Sequence, residues 1–254
     1  LIRNRRFRSE LWRAHQENKS DLCRLLHKWN IDKDAFTICW ARRVAAYKRP
    51  SMILQDVKRL LDIAERFGPI QIIFAGKAHP MDNLGFTYIN EMLDKVDELN
   101  KKYDNLKIIM LENYEIFLAK MLTSSVDVWL NNPLPPFEAS GTSGMKAILN
   151  GVIQLTTLDG WIQEAADRNI GRVFGYKNKE GQIGSEYNLR IKDDAAQLYV
   201  VLEEIIPLYY RTNRKGKLDV TSPWIDMMIN CIATGADFNT YRMLDEYKQR
   251  MWKP

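Results

Sequence analysis

Between Glu138 and Gly151 the chain reads EASGTSGMKAILNG. A glycine-rich stretch carrying Thr142 and Ser143 runs into an apolar helical pattern, with Lys146 in its first turns. Such a turn exposes backbone N–H groups at the positive end of the helix dipole, an arrangement that binds phosphate. Thr142 and Lys146 are four residues apart and share one helix face, so a hydroxyl and an amine can reach two ends of one small molecule. The spacing is neither that of a P-loop, which needs Ser or Thr after the lysine, nor that of a dinucleotide fingerprint. Read alone, the stretch is first of all a capped helix with a surface lysine, and a ligand site only second. Glu138 opens it and is the only acid between Asp127 and Asp159. Its carboxylate can accept hydrogen bonds from sugar hydroxyls, or complement the helix dipole.

A second concentration of charge lies in ARRVAAYKRP. Arg42, Arg43 and Lys48, with Arg49 close behind, repel one another unless an anion or several carboxylates sit among them. Arginine suits a bidentate phosphate clamp and lysine a point charge; the alternative is a solvated basic loop. Lys77 in GKAHP adds a cation, while His79 beside a proline reads as structural. Tyr114 follows Glu112 and Asn113, where a tyrosine can contact a flat ring or simply pack. Asn131, Asn132 and the PLPP run form a stiff polar turn.

These groups meet only if one scaffold gathers their loops. FTICW (36–40), IQIIFA (70–75), LKIIML (106–111), VDVWL (126–130) and VIQLTT (152–157) read as strands, and RVFGY (172–176) as a weaker sixth. Helical patterns lie near 50–67, 86–102, 114–122, 142–150 and 161–168, with Pro50 opening the first of them. Strands apolar on both faces and separated by helices predict an α/β fold with a doubly wound, Rossmann-like parallel sheet. Ligands of such sheets bind outside the carboxyl ends of the strands, where every loop named above falls. Residues 3 to about 30 predict one long amphipathic helix with Leu11, Ala14, Leu22, Leu25, Leu26 and Trp29 inward. Three closing helices are expected at 193–211, 222–233 and 240–252. The expected organisation is therefore a linker helix (1–33), a Rossmann-like core (34–192) and C-terminal helices (193–254).

The composition, 46% hydrophobic and 27% charged over 254 residues, is that of a soluble globular domain. No run of about 18 apolar residues is present to span a bilayer, and no signal-peptide pattern opens the chain. Cys23, Cys39 and Cys231 are widely spaced without a CxxC pattern and read as free thiols in a reducing, cytoplasmic compartment. The net charge of +5 is uneven, with Arg3, Arg5, Arg6, Arg8 and Arg13 crowding the start. No nucleic-acid motif accompanies that cluster, so it reads as a solvated or interface-facing helix end, with neither nucleic acid nor membrane as partner. The opening at Leu1 rather than Met points to a piece of a longer protein or a processed product.

Taken together, EASGTSGMKAILNG, ARRVAAYKRP, FAGKAHP, LENY and TLDGW resemble the α-glucan phosphorylases, most of all their shorter bacterial and archaeal branch. The likeness runs from QENK (16–19) to the closing WIDMMINCIATGADFNTYRMLDEYKQRMW. The resemblance implies the C-terminal half of a GT-B fold, carrying pyridoxal 5′-phosphate. Lys146 would form the Schiff base, with Thr142, Ser143 and the turn amides on the cofactor phosphate. Arg42 stands beside that phosphate, where the family usually has lysine, and Tyr114 matches a tyrosine that contacts the cofactor. Glu138, Ala139, Ser140 and Gly141 match the stretch that binds glucosyl hydroxyls, and Arg43 and Lys48 the grip on substrate phosphate. Larger relatives have Gly-Asn where this chain has Ser143-Gly144.

The activity implied is attack of inorganic phosphate on terminal α-1,4-glucosyl units of a glucan, giving glucose 1-phosphate with retention. The cofactor's phosphate would exchange a proton with the substrate phosphate. Nucleotide-sugar-dependent glucan synthases of the same fold carry a second glutamate eight positions after the first, where this chain has Lys146. A non-catalytic fragment is the other alternative. The family's N-terminal domain supplies the rest of the cleft, so the isolated chain is expected to be inactive or nearly so. Its basic first helix would face that domain, and a homo-oligomer is compatible with all of this.

Overall fold

The computed structural model describes residues 3–175 and 186–252. Six strands form one parallel sheet: β1 (Phe36–Ala41), β2 (Ile70–Ala75), β3 (Leu106–Leu111), β4 (Val128–Asn131), β5 (Ile153–Thr157) and β6 (Gly171–Phe174). Every residue of β1, β2, β4 and β5 is buried, as a sheet covered on both faces requires. Alternation of side chains sorts the covering helices. Phe36, Ile38 and Trp40 of β1 join the core formed with α2 (Val57–Phe67), α3 (Asn83–Lys102), α6 (Glu186–Thr212) and α7 (Pro223–Gly235). Cys39 and Ala41 point the other way, into the core under α1 (Arg5–Leu25), α4 (Ile116–Ser125) and α5 (Thr142–Leu149). A last helix, α8 (Thr240–Arg250), has no buried residue. Among the described residues no helix is long and apolar enough to cross a membrane.

The strand order is β3-β2-β1-β4-β5-β6. The winding reverses between β1 and β4, and a doubly wound sheet opens its ligand crevice at that switch point. The loops after β1 and β4 are those carrying Arg42–Arg49 and Asn131–Gly141. A bridge between Val44 and Ala78 extends the β1–β2 pairing into the loops. It requires Gly76, because a Cβ there would lie 2.1 Å from the Arg42 carbonyl oxygen.

Several elements differ from the sequence expectations. The first helix ends at Leu25, and Ala14, Leu25 and Trp29 are exposed. Its inward residues are Arg8, Trp12, His15, Lys19 and Leu22, because distant acids neutralise the polar ones. Arg8 is therefore no solvated helix end: its guanidinium pairs with Asp226 at 2.6 Å and donates to the Ser222 carbonyl. Pro50 does not open a helix; α2 begins at Val57, where Asp56 caps it by accepting the Arg59 N–H. The pattern at 161–168 is a short 3-10 turn, Gly160–Glu164. The sixth strand stops at Phe174, and Tyr176 lies outside the described residues. The sequence also gave no sign of the two-residue hairpin strands β7 (Asn213–Arg214) and β8 (Lys217–Leu218).

Candidate functional site

Arg42 leaves the end of β1 and is 8% exposed. Its Nη2 lies 3.5 Å from the Leu130 carbonyl, while buried Nε and Nη1 have no hydrogen-bond partner. Glu138 Oε2 is 3.9 Å from Nη1, and the Trp40 ring lies 5.6 Å away. Burial pushes the guanidinium pKa down to about 10, with the Glu138 charge opposing, so it remains a cation at neutral pH. Buried guanidinium nitrogens without a hydrogen bond are costly, and the single ion pair to Glu138 at 3.9 Å offsets only part of that cost. Such a group can take further hydrogen-bond acceptors, an anion among them. Arg42→Met is accordingly expected to leave the ligand-free chain as stable or more stable, by up to about 2 kcal/mol, while phosphate-group binding is lost. Urea unfolding and pyridoxal phosphate titration of the same variant check both halves.

Lys48, from the 3-10 turn Ala46–Lys48, ion-pairs with Glu138, and both side chains are 11% exposed. Tyr114 sits half-buried near Arg42 and Cys39; burial pushes its pKa up to about 12, with Cys39 adding and Arg42 opposing, so its hydroxyl stays protonated. Gly141, in a left-handed conformation at φ 89, starts α5 without any side-chain cap. The first-turn N–H groups of α5 thus have no capping side chain, and such groups can take an anion. Thr142 and Lys146 are exposed on that helix, and Ser143 is half-buried.

A profile of the carbohydrate phosphorylases matches residues 1–253. The chain belongs to that family. A glycogen phosphorylase of Aquifex aeolicus is 39% identical over 96% of this chain and 37% of its own length. A maltodextrin phosphorylase of Thermococcus litoralis is 40% identical over 96% of this chain and 30% of its own length. A glycogen phosphorylase of Mycobacterium tuberculosis is 34% identical over 88% and 25%. The chain spans about a third of the length of the first two.

In this phosphorylase-family chain the fold brings Arg42, Lys48 and Glu138 into one cluster, with Gly141 against the Glu138 stem. Ala139 is exposed and Ser140 half-buried on the strip between them. Arg43 and Lys77 are exposed on neighbouring loops, and no ion pair joins either to the cluster among the described residues. Arg49 departs from the expectation of a fourth site cation. It turns inward, pairs with Asp194 at 2.5 Å and donates to the Asn132 and Pro133 carbonyls. It thereby fastens the turn after β4 to α6.

Asp159, in the TLDGW motif, also belongs to this site. Asp159 accepts the Glu138 N–H at 2.8 Å and the Gly160 N–H at 3.0 Å. Nothing in the local sequence signals this contact across 21 positions. Gly160 completes it, with φ 70 and a Cβ position 2.3 Å from the Ser140 carbonyl oxygen. Gly160→Ala is expected to cost at least about 1–3 kcal/mol, read as a lower thermal unfolding midpoint.

Proposed function

We propose that this chain is the cofactor-binding C-terminal domain of an α-glucan phosphorylase, in a GT-B arrangement, with pyridoxal 5′-phosphate as its cofactor. The observation that carries the reading is buried Arg42, with two nitrogens that make no hydrogen bond, at the switch point of the sheet. The residues present fit the group. Arg42 and the uncapped first turn of α5, with Thr142 and Ser143, offer donors for its phosphate. Lys146, without an acidic partner among the described residues, offers the amine for a covalent anchor. Tyr114 offers a protonated hydroxyl beside Arg42.

When bound, the cofactor supplies a phosphate that exchanges a proton with the substrate phosphate. The chain's own residues do the rest. Arg43 and Lys48 bind inorganic phosphate, and two phosphates approach each other only where cations offset their repulsion. Lys48 also neutralises Glu138, so the substrate phosphate draws on Lys48 as that pair loosens. Glu138, Ala139, Ser140 and Gly141 orient the terminal glucosyl unit by its hydroxyls. As the C1–O4 bond to the glucan breaks, a proton from the substrate phosphate passes to the leaving oxygen, and phosphate adds to the same face of the oxocarbenium-like glucosyl centre, giving glucose 1-phosphate with retained configuration.

The remaining length found in the relatives would supply the facing domain. On this reading the 254-residue chain alone turns over no glucan. The free thiols, with Cys39 and Cys231 buried, fit a reducing, cytoplasmic setting. The test is to mix the chain with pyridoxal phosphate, reduce with borohydride and map the modified peptide by mass. Label confined to Lys146 supports the reading; label scattered over surface lysines overturns it.

A further inference from the structure

Asp159 has no part in the function proposed above, yet the strip assigned to the sugar hangs on it. It lies in the turn after β5 and is 3% exposed. Its two oxygens serve different residues: Oδ2 accepts the Glu138 N–H and Oδ1 the Gly160 N–H. A second tie runs alongside, as the Trp161 N–H donates to the Ser140 carbonyl at 2.9 Å. Trp161 is itself fixed, edge-on to Phe238 with ring centres 4.9 Å apart. The turn 159–161 is thus a rigid ledge that holds Glu138 and Ser140 at two points.

An acid in this place is costly. Burial and the neighbouring Glu138 charge both push its pKa up, while the two backbone N–H groups and Lys48 oppose. An amide has only one oxygen to offer, whereas a carboxylate serves both N–H groups with charge-assisted bonds. The geometry gives the acid a purpose that packing alone does not: the Glu138 carboxylate reaches Lys48 from a backbone pinned by Asp159.

Building on the phosphorylase reading, we propose that Asp159 is a positioning residue for sugar recognition, fixing the Glu138–Ser140 strip and the aim of the Glu138 carboxylate without touching substrate. Its loss therefore separates the two substrates. Glucan binding suffers, because its hydroxyls meet a loosened strip. Phosphate binding does not, because Arg43 stands on the loop after β1 and Lys48 is only freed.

The test uses the full-length enzyme carrying this chain, with Asp159→Asn and Asp159→Ala. Asp159→Asn, keeping one acceptor, is expected to lower kcat/KM for maltodextrin about tenfold, and Asp159→Ala about a hundredfold. The KM for orthophosphate is expected not to rise in either, and borohydride labelling at Lys146 to persist. A parallel rise in both KM values, or no change in either, overturns the proposal. Amide hydrogen exchange on wild-type enzyme and Asp159→Asn decides the matter even where the alanine variant does not fold. Exchange at Glu138 and Gly160 is expected to quicken at least tenfold while β1 and β4 stay protected, and unchanged exchange at Glu138 sinks the idea. Failure of the phosphorylase reading looks different: wild-type enzyme neither phosphorolyses maltodextrin nor takes label at Lys146.

Discussion

On the function proposed above, Lys146→Ala in the enzyme that carries this chain is expected to abolish borohydride-fixed pyridoxal label and to lower phosphorolysis by about 10²–10⁴-fold, because the cofactor whose phosphate would exchange the proton loses its anchor. Lys146 is exposed on α5, so neither the helix nor the core depends on it. Its removal should move stability by no more than about 0.5 kcal/mol. Lys146→Arg separates charge from chemistry. It keeps the cation but has no primary amine to bond an aldehyde, so it is expected to lose label and activity as alanine does. Rates from coupled glucose 1-phosphate detection, with peptide mapping of reduced samples, check both variants. Full activity in either one would remove Lys146 from its assigned role.

The largest effect on stability is expected at the opposite end of the sheet. Asp127, directly before β4, accepts from His15 Nε2 at 2.8 Å, Lys19 Nζ at 2.6 Å and the Thr37 N–H at 2.8 Å. Its side chain is fully buried and that of Lys19 is 2% exposed. Lys19 also donates to the Ala35 carbonyl and the Tyr209 hydroxyl, each at 2.8 Å. Asp127→Ala leaves the Lys19 charge buried without its counter-ion, which costs about 3–5 kcal/mol. Lys19→Met with Asp127→Asn, which removes both charges, should recover a good part of that loss. Urea unfolding at neutral pH measures all three proteins.

The same cluster sets an acid limit. Burial pushes the Asp127 pKa up, but the Lys19 charge and the His15 bond and charge outweigh it, and the net shift is down from 3.8. A carboxylate lowered on folding stabilises fully above its unfolded pKa, and that stability is lost as pH falls through the folded one. The chain should therefore lose stability progressively below about pH 4, and Asp127→Asn should flatten that part of the pH profile.

Much of this site could be read from the linear chain because its parts are local. The mostly apolar runs FTICW, IQIIFA and LKIIML needed no partners to announce buried strands, since a strand covered on both faces carries apolar residues at nearly every position. The glycine-rich turn into α5 and the cations after β1 were also legible, as turn and helix-start chemistry is written in neighbouring residues. What could not be read was which polar residues would turn inward. His15 and Lys19 look like the solvent side of a helix until Asp127 is placed over them, 108 residues beyond Lys19. Arg49 looks like a site cation until Asp194, 145 residues on, claims it.

By itself, then, the sequence determined the parallel α/β class, the loops to which a chemistry can be proposed and membership of the phosphorylase family. Only the tertiary structure decided that β4 crosses to the far side of β1, so that Arg42 and Glu138 meet. It alone decided that Lys48 is shared with Glu138, and that Asp159 pins the strip between them. Hydrophobic patterning is a property of neighbouring residues, legible along the unfolded chain. Burying a charge is settled by pairs, and the partner's position is known only once the chain has folded.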